Sequence, residues 1–345
     1  MFKRSRILLT LLALSLSLVD AAADDSAGKD STKPKIDYIP KFHGVLRARY
    51  EADLQNGYQR FQLRNLRMTA TGHVAPRIDY FIQVDFCDRG KMKFLDGWGR
   101  VGFTDQFAVQ AGQFRIPFGE EPFKAPVNYV FSNRSFLGNQ FMNVRAVGAK
   151  FIWSPRTPFM LEAGAFNTTS ISEHDIWNRT LAYATKATLK VDHTTLSASF
   201  ASLSPDSVRT NSADIAVGWH CGRWTAEAEG AYKHYTHRAH KDAWAYNMYG
   251  RYTMPVSLGQ FNALSFHGRF DGITAHSSAL RKSDGNIITD TPARNRLTAG
   301  ITLTAAYLPV FADIRLDYEK FFYHHGFDPA KGQGDRLTLE LVVRF

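Results

Sequence analysis

Apolar and polar residues alternate with a period of two in many short segments of this chain. The last nine residues, Leu337 to Phe345, show it clearly, because every odd position among them is apolar. Successive side chains of a β-strand point to opposite faces, so this pattern predicts a strand with one apolar and one polar face. The terminal aromatic residue is typical of an outer-membrane β-barrel, although a half-buried strand of a soluble protein shows the same alternation.

Fifteen further segments alternate in the same way, are rich in aromatic and β-branched residues, and are separated by turn sequences. Sixteen is an even number, as single-chain bacterial barrels require. The sixteen predicted strands cover residues 41–50, 63–73, 78–86, 94–103, 107–115, 146–154, 159–166, 180–190, 194–203, 212–220, 223–233, 243–253, 261–271, 296–306, 311–322 and 336–345.

The connections between these segments alternate in length. Those after even-numbered segments are short, whereas the longest ones, at 116–145, 167–179, 272–295 and 323–335, follow odd-numbered segments. Short periplasmic turns and longer extracellular loops are the barrel pattern when both termini are periplasmic. A soluble β-sandwich or a β-solenoid is the alternative, but neither sorts its loops in this way. We therefore predict an all-β fold, a transmembrane antiparallel β-barrel of about sixteen strands.

The N-terminal residues Met1 to Ala23 have the pattern of a secretory signal peptide, with three basic residues, an apolar run and the small residues Ala21-Ala22-Ala23. A membrane anchor is the alternative, but the apolar run is shorter than the roughly 20 residues of a spanning helix. We expect cleavage near Ala23, a flexible periplasmic lead over residues 24–40, and a barrel over residues 41–345. The expected location is the bacterial outer membrane.

The whole chain carries a net charge of +10, and loss of the signal peptide would lower that charge by two. The mean hydropathy of the chain is −0.27, which is low for a protein with membrane-spanning helices. Because only helices and closed barrels satisfy every backbone polar group in hydrocarbon, a membrane-spanning form of this chain should be a closed barrel. A basic charge balance suits anionic ligands, and binding of lipopolysaccharide or nucleic acid, or solubility alone, are alternative explanations. We expect small anions or polar solutes and outer-membrane lipid as partners, and no nucleic acid.

A barrel of sixteen strands is wide enough for an aqueous channel, so its inward side chains are candidates for selectivity. Inward basic residues outnumber inward acids in the predicted register, which favours anions. The alternative is that these charges only solvate the wall and bridge neighbouring strands. The inward basic residues are Arg47, Arg49, Arg67, Arg100, Lys150, His267, Arg269, Arg296, Arg315, Arg336 and Arg344; the acids are Asp79, Asp85, Glu162, Asp271, Asp313, Asp317 and Glu340.

The connection Ile116 to Arg145 is the candidate constriction, because a loop of this length needs a functional or packing reason. Folding into the lumen would supply that reason by narrowing the pore, and an ordinary surface loop is the alternative. The run Gly112-Gln113-Phe114-Arg115-Ile116-Pro117-Phe118-Gly119-Glu120 at its start resembles a signature of the phosphate-selective porin O/P family. Further matches are Leu95-Asp96-Gly97-Trp98, Phe131-Ser132-Asn133-Arg134-Ser135, Asn143-Val144-Arg145-Ala146-Val147-Gly148 and Gly164-Ala165-Phe166-Asn167.

The resemblance implies a sixteen-stranded, trimeric outer-membrane channel, which in some members passes phosphate or polyphosphate along an arginine ladder and a lysine ring. Arg115, Arg134 and Arg145 stand where the signature carries basic residues. The candidate pore-lining residues are therefore Arg47, Arg49, Arg67, Arg100, Arg115, Arg134, Arg145, Lys150, Arg269 and Arg315.

Two alternatives to a channel are a surface adhesin or structural barrel and, with less support, a barrel enzyme. No motif gathers Ser, His and Asp, so we expect neither an enzyme nor a cofactor. His234, His237, His240 and the pair His324-His325 lack a recognised ligand spacing, and we predict loop histidines and no metal site. Cys87 and Cys221 fall at opposite ends of the predicted barrel, beyond disulfide reach.

Overall fold

The computed structural model describes residues 38–141, 144–155, 157–168, 174–203, 208–281, 287–307, 310–324, 327, 329–330 and 332–345. The predicted signal peptide, most of the predicted lead, part of two predicted periplasmic turns and His325 lie outside these residues. No helix in the described part of the chain is long and apolar enough to cross a membrane.

The fold is a closed antiparallel barrel of sixteen strands in which neighbours along the chain are paired. All sixteen predicted strands are present, and the first and last pair with each other from Val45–Arg344 to Asp53–Arg336, which closes the ring. The described residues form eighteen strands, of which β14 and β15 lie outside the barrel. In chain order they are β1 Lys41–Asp53, β2 Tyr58–Ala75, β3 Ile78–Asp88, β4 Lys91–Gly102, β5 Phe107–Arg115, β6 Arg145–Trp153, β7 Phe159–Phe166, β8 Ala182–Val191, β9 Thr194–Leu203, β10 Thr210–Cys221, β11 Trp224–Tyr235, β12 Ala243–Leu258, β13 Phe261–Ile273, β14 His276–Arg281, β15 Ile287–Thr291, β16 Arg294–Tyr307, β17 Val310–Tyr323 and β18 Arg336–Arg344.

The two faces of the closing strand β18 are assigned as the sequence pattern predicts. Thr338 and Glu340 are fully buried on the inner face, whereas Leu339 and Leu341 are 46% and 42% exposed on the outer face. Phe345 continues the pairing, since its backbone N–H donates to the Gly44 carbonyl and its carbonyl accepts from the Gly44 N–H. A Cβ at Gly44 would lie 2.3 Å from the Phe345 ring, so the terminal aromatic fits there only against glycine.

Two parts of the fold differ from the sequence prediction. The β1–β2 connection has only four residues, since β2 begins at Tyr58 and not at residue 63 as predicted. Asp53 stabilises this turn by accepting hydrogen bonds from the backbone N–H groups of Gln55 and Asn56. The long connection after β13 holds a separate two-stranded sheet, β14 and β15, where we predicted only a loop. Both features depend on local turn contacts that the period-two pattern does not encode.

An apolar core lies on the inner side of the barrel. Alanines occupy inward positions of β8, β9, β11 and β12, and the bulky side chains of the β5–β6 connection belong to the same buried cluster. Small wall residues leave room for that connection, and each large apolar side chain so buried contributes about 1.5–3 kcal/mol. The bulky members from the connection are Ile116, Phe118, Phe136, Leu137 and Phe141.

Candidate pore constriction

The β5–β6 connection contacts the inner wall through its described residues, 116–141 and 144; we call this segment the lumen loop. It contains two short 3-10 turns, Glu121–Phe123 and Pro126–Asn128, and a π-helical turn, Leu137–Phe141. Its polar backbone groups are bound by charged side chains that project inward from two sides of the barrel. These contacts define a lysine–glutamate anchor and an arginine anchor.

The lysine–glutamate anchor consists of Lys186, Glu227 and Glu229 on β8 and β11, and it binds loop residues 119–124. The Glu229 carboxylate accepts hydrogen bonds from the backbone N–H groups of Glu120 at 2.5 Å and Glu121 at 3.2 Å. The Lys186 ammonium donates to the Gly119 carbonyl at 2.7 Å and pairs with the Glu120 carboxylate.

A second ion pair strengthens the same anchor, because the Lys124 ammonium of the loop pairs with the Glu227 carboxylate. Burial lowers the pKa of Lys124, but the charge of Glu227 more than offsets this, so the net pKa lies above the ordinary lysine value. Lys124 is therefore charged at neutral pH, and the loop is held to β11 by both backbone and side-chain contacts.

The arginine anchor binds loop residues 132–136 from β1, β13, β16 and β17. Here guanidinium groups donate to loop carbonyls: Arg47 to Ser132 at 2.7 Å, Arg269 to Asn133 at 2.8 Å and Arg296 to Arg134 at 2.7 Å. Carboxylates accept from loop N–H groups in the same stretch: Asp317 from Ser132 at 2.6 Å and Asp271 from Phe136 at 2.9 Å.

The charged groups of the arginine anchor also neutralise one another. Arg296 pairs with Asp271 at 2.9 Å and with Glu319 at 2.7 Å, and Arg47 pairs with Glu340 at 2.7 Å. All five side chains are at most 4% exposed. Buried charges persist when they are paired and hydrogen-bonded, so these arginines satisfy carboxylates and loop carbonyls.

A third group of arginines surrounds Tyr129 on the loop; we call it the tyrosine site. Arg134 Nε donates to the Tyr129 hydroxyl at 2.7 Å, and the Arg134 guanidinium lies 4.8 Å from the ring centre. Arg47 stacks on the same ring at 5.2 Å. Arg115 is close enough to act electrostatically on the Tyr129 hydroxyl, and Arg67 does so as well.

The tyrosine site faces β2 to β6, the side of the barrel that neither anchor occupies. Arg115 ends β5 directly opposite Arg145, the first residue of β6. Arg145 pairs with Asp96 of β4 at 2.9 Å, and Arg67 pairs with Asp85 of β3 at 3.1 Å. The three arginines that the family signature contributes therefore lie together, with Tyr129 and Arg67.

Burial raises the pKa of the Tyr129 hydroxyl, but the charges of Arg134, Arg115 and Arg47 outweigh burial and lower it below the ordinary tyrosine value. Arg134 itself is bound by neutral oxygens, since its Nη2 donates to the Pro122 carbonyl at 3.3 Å. Its Nη1 is buried and has no hydrogen-bond partner among the described residues. The site thus gathers positive charge around a buried guanidinium donor that has no partner among the described residues.

The other predicted pore residues are spread over the wall. Arg49 donates to Asn133 Oδ1 of the loop at 2.9 Å, and Arg315 pairs with Glu340 at 3.0 Å beside Arg47. Arg100 pairs with Asp79 near the periplasmic ends of β3 and β4, and Lys150 pairs with Glu162 between β6 and β7. The structure thus brings five of the ten residues to the tyrosine site: Arg47, Arg67, Arg115, Arg134 and Arg145.

Counting inward charges along the strands identified most of the paired carboxylates, but it missed Glu319 and Asp96, and it did not show which arginine each acid pairs with or which loop atoms the charges bind. It also missed Tyr129, Lys124, Lys186 and Glu229, which position the loop. The alternation along β8 and β11 places a lysine and a glutamate on the inner face, but the loop residues that they bind are more than 60 positions away along the chain.

The loop histidines and the cysteines lie apart from these sites. His234 pairs with Asp242 at 2.9 Å outside the lumen loop, and Cys87 and Cys221 are free thiols. Within the described ranges, no group of three or more His, Cys, Asp and Glu side chains is placed to hold a metal ion.

A closed sixteen-stranded barrel crossed by a loop that is anchored to its inner wall defines a porin, a channel protein of the bacterial outer membrane. The sequence assigns the particular family: a model of "Phosphate-selective porin O and P" matches residues 44–236, more than half of the chain, and the protein belongs to this family. Comparison with curated protein sequences finds no match.

Solved structures of porins share the fold at low sequence identity. OmpF of Salmonella typhi, in complex with daunomycin, aligns with a TM-score of 0.62 and 9% identity over 89% of this chain and 97% of that one. OmpT of Vibrio cholerae in its trimer form gives 0.60 and 11%, over 89% and 98%. An anion-selective porin of Comamonas acidovorans gives 0.59 and 11%, over 89% and 98%.

Proposed function

We propose that this outer-membrane porin is a passive diffusion channel that prefers small anions, such as phosphate-like ions or carboxylates, over cations. The observation that carries the proposal is Arg134 at the tyrosine site, whose partners are the Tyr129 hydroxyl and a backbone carbonyl. A guanidinium that retains its charge and an unused donor binds oxyanions well, because its donors match carboxylate and phosphate geometry.

The proposed solute path runs between the tyrosine site on the lumen loop and the wall formed by β2 to β6. Arg67, Arg115 and Arg145 would line the wall side of this constriction, and Arg134 the loop side. Arg100 and Lys150 would line the wider periplasmic part. Arg47, Arg49, Arg269 and Arg315 would act mainly by holding the loop in place, since they bind it or pair with buried acids.

Reversal potentials in planar bilayers under a potassium chloride gradient test this proposal. The wild type should be anion-selective, and Arg134→Gln should reduce the anion-to-cation permeability ratio several-fold, because one charge is removed from a narrow site of low dielectric constant. Arg77→Gln is the matched control, since Arg77 lies at the periplasmic rim, is 52% exposed and pairs with exposed Asp105. Cation selectivity of the wild type, or equal effects of the two variants, would contradict the proposal.

We further propose a homotrimer in the outer membrane, in contact with its lipid and lipopolysaccharide, after cleavage of the signal peptide near Ala23. The trimer form of the similar OmpT structure supports the assembly. Family membership favours a channel over the adhesin and enzyme alternatives. On a gel, the unboiled protein should run as a trimer that boiling dissociates, and cross-linking in detergent before boiling should preserve the trimer band; a monomer alone in both samples would contradict the assembly.

A further inference from the structure

A cavity of about 420 Å³ lies in the lumen between the loop and the periplasmic ends of β8 to β11; we call it the lower cavity. Its roof is formed by loop residues Phe123, Lys124 and Asn128. Its wall and floor carry Lys190, His193 and His220, which flank the turns at the periplasmic ends of these strands. The volume falls within the range of small-molecule sites, roughly 300–1,000 Å³.

Phe123 is an unusual residue for a water-filled channel, because 39% of its surface is exposed although it sits in the roof of a polar cavity. The Lys186 ammonium lies 4.6 Å from its ring centre and so contacts the aromatic face by a cation–π interaction. This contact, together with the loop anchor on Glu229, fixes the ring. A fixed and partly exposed ring offers apolar area to a solute that has a flat apolar face.

The charge of the lower cavity is positive where a solute would reach it. Its acids Glu120 and Glu227 are each paired, with Lys186 and Lys124 respectively. In the described part of the chain, Lys190, His193 and His220 have no ion pair with an acid, and His220 bonds only the Thr225 hydroxyl at 3.0 Å.

One buried polar group also points to a missing partner. Ser197 lines the lower cavity and is 5% exposed, and its hydroxyl oxygen is buried with no hydrogen-bond partner among the described residues. Buried hydroxyl groups are normally bonded, so an unpartnered one in a cavity wall suits a site where a ligand supplies the bond.

We propose that the lower cavity binds an organic anion that carries a planar apolar ring, of which an aryl carboxylate is the simplest form. The ring would pack on Phe123, the carboxylate would accept from the Lys190 ammonium and an adjacent histidine N–H, and Ser197 would bond the solute edge. This proposal rests on the proposed anion channel. It adds a second binding site, on the periplasmic side of the lumen loop, for a separate class of solute.

The experiment measures the block of single-channel chloride current by three compounds. Benzoate carries both the aromatic ring and the negative charge, acetate carries only the charge, and benzamide carries only the ring. We expect benzoate to block the wild type at concentrations where acetate and benzamide have little effect. Phe123→Ala should weaken benzoate block on the order of three- to tenfold, the range of an aromatic contact, and Lys190→Gln should weaken it as well. Anion selectivity in Phe123→Ala should keep the sign of the wild type, because Arg134 is retained.

Trp177→Ala is the control for the loss of an exposed ring, because Trp177 lies in an extracellular loop and is 97% exposed. Equal block by benzoate and acetate, or unaltered benzoate block in Phe123→Ala with normal chloride conductance, would overturn the lower-cavity proposal while leaving anion selectivity intact. Cation selectivity of the wild type would instead overturn the proposed function itself, so the two failures are distinguishable.

Discussion

The arginine anchor and the tyrosine site use the same residue type in opposite ways. In the anchor, Arg296 is shared between two buried carboxylates, and the loop backbone completes its bonding. At the tyrosine site, Arg134 is held by neutral oxygens and keeps an unpartnered donor. The comparison shows that an inward arginine in this barrel is neutralised where buried acids surround it and is held by neutral oxygens where its neighbours are a tyrosine and a backbone carbonyl.

Breaking the arginine anchor should have the largest effect. Arg296→Met removes the closer of two arginines that pair with both Asp271 and Glu319, which are 0% and 1% exposed; Arg269 is the other. Leaving these two buried carboxylates with Arg269 as their nearest remaining cation, at 3.4 and 3.5 Å, should lower the free energy of unfolding by up to about 3–5 kcal/mol and make the channel current noisier as the loop loosens. Urea unfolding of the folded barrel in detergent, followed by its shifted gel mobility, measures the first effect.

Arg77→Met is the control for that measurement, because an exposed pair should change stability by less than about 1 kcal/mol. Equal unfolding midpoints for the two variants would show that the arginine anchor does not stabilise the barrel.

A glycine at the arginine anchor provides a second test. A Cβ at Gly300 would lie 2.1 Å from Asp317 Oδ1 and 2.5 Å from His267 Nε2, so Asp317 must move away from His267 and from the Ser132 N–H. We expect Gly300→Ala to cost about 1–3 kcal/mol by overpacking, measured by the same unfolding assay.

Gly250→Ala is the matched control in β12, since a Cβ there meets no atom within 4 Å. If both alanine variants unfold alike, close packing at Asp317 is not important for the anchor.

The tyrosine site should respond in selectivity rather than in stability. Because the pKa of Tyr129 is lowered, its hydroxyl loses its proton at a lower pH than a free tyrosine, near 10, and the phenolate then cancels one positive charge. Anion selectivity of the wild type should therefore fall as pH rises toward 10, and Tyr129→Phe should show a smaller fall. The change in unfolding free energy should stay near 1 kcal/mol, typical of one lost hydrogen bond.

Reversal potentials measured from pH 7 to 10 in both proteins test this titration, since lysines elsewhere titrate equally in the two. Identical pH profiles would mean that Tyr129 does not control the charge of the constriction.

The sequence by itself determined the barrel. Alternation along each segment, the even count and the sorting of loop lengths are local properties, and they correctly predicted the sixteen strands and the two faces of the strand at Leu337 to Phe345. The strand predictions succeed because strand faces and hairpin turns depend on neighbouring residues. The family signature indicated Arg115, Arg134 and Arg145 as lumen residues, and their role in the pore stays a prediction.

Only the tertiary structure decided what the inward charges do. The ion pair between Arg47 and Glu340 joins residues 293 positions apart, and the bond between Ser132 and Asp317 joins residues 185 apart. A period-two pattern gives the face of a side chain but not its partner across the lumen. Whether an arginine is neutralised depends on which acids and loop atoms the closed barrel brings beside it, because charge pairing acts through space and not along the chain.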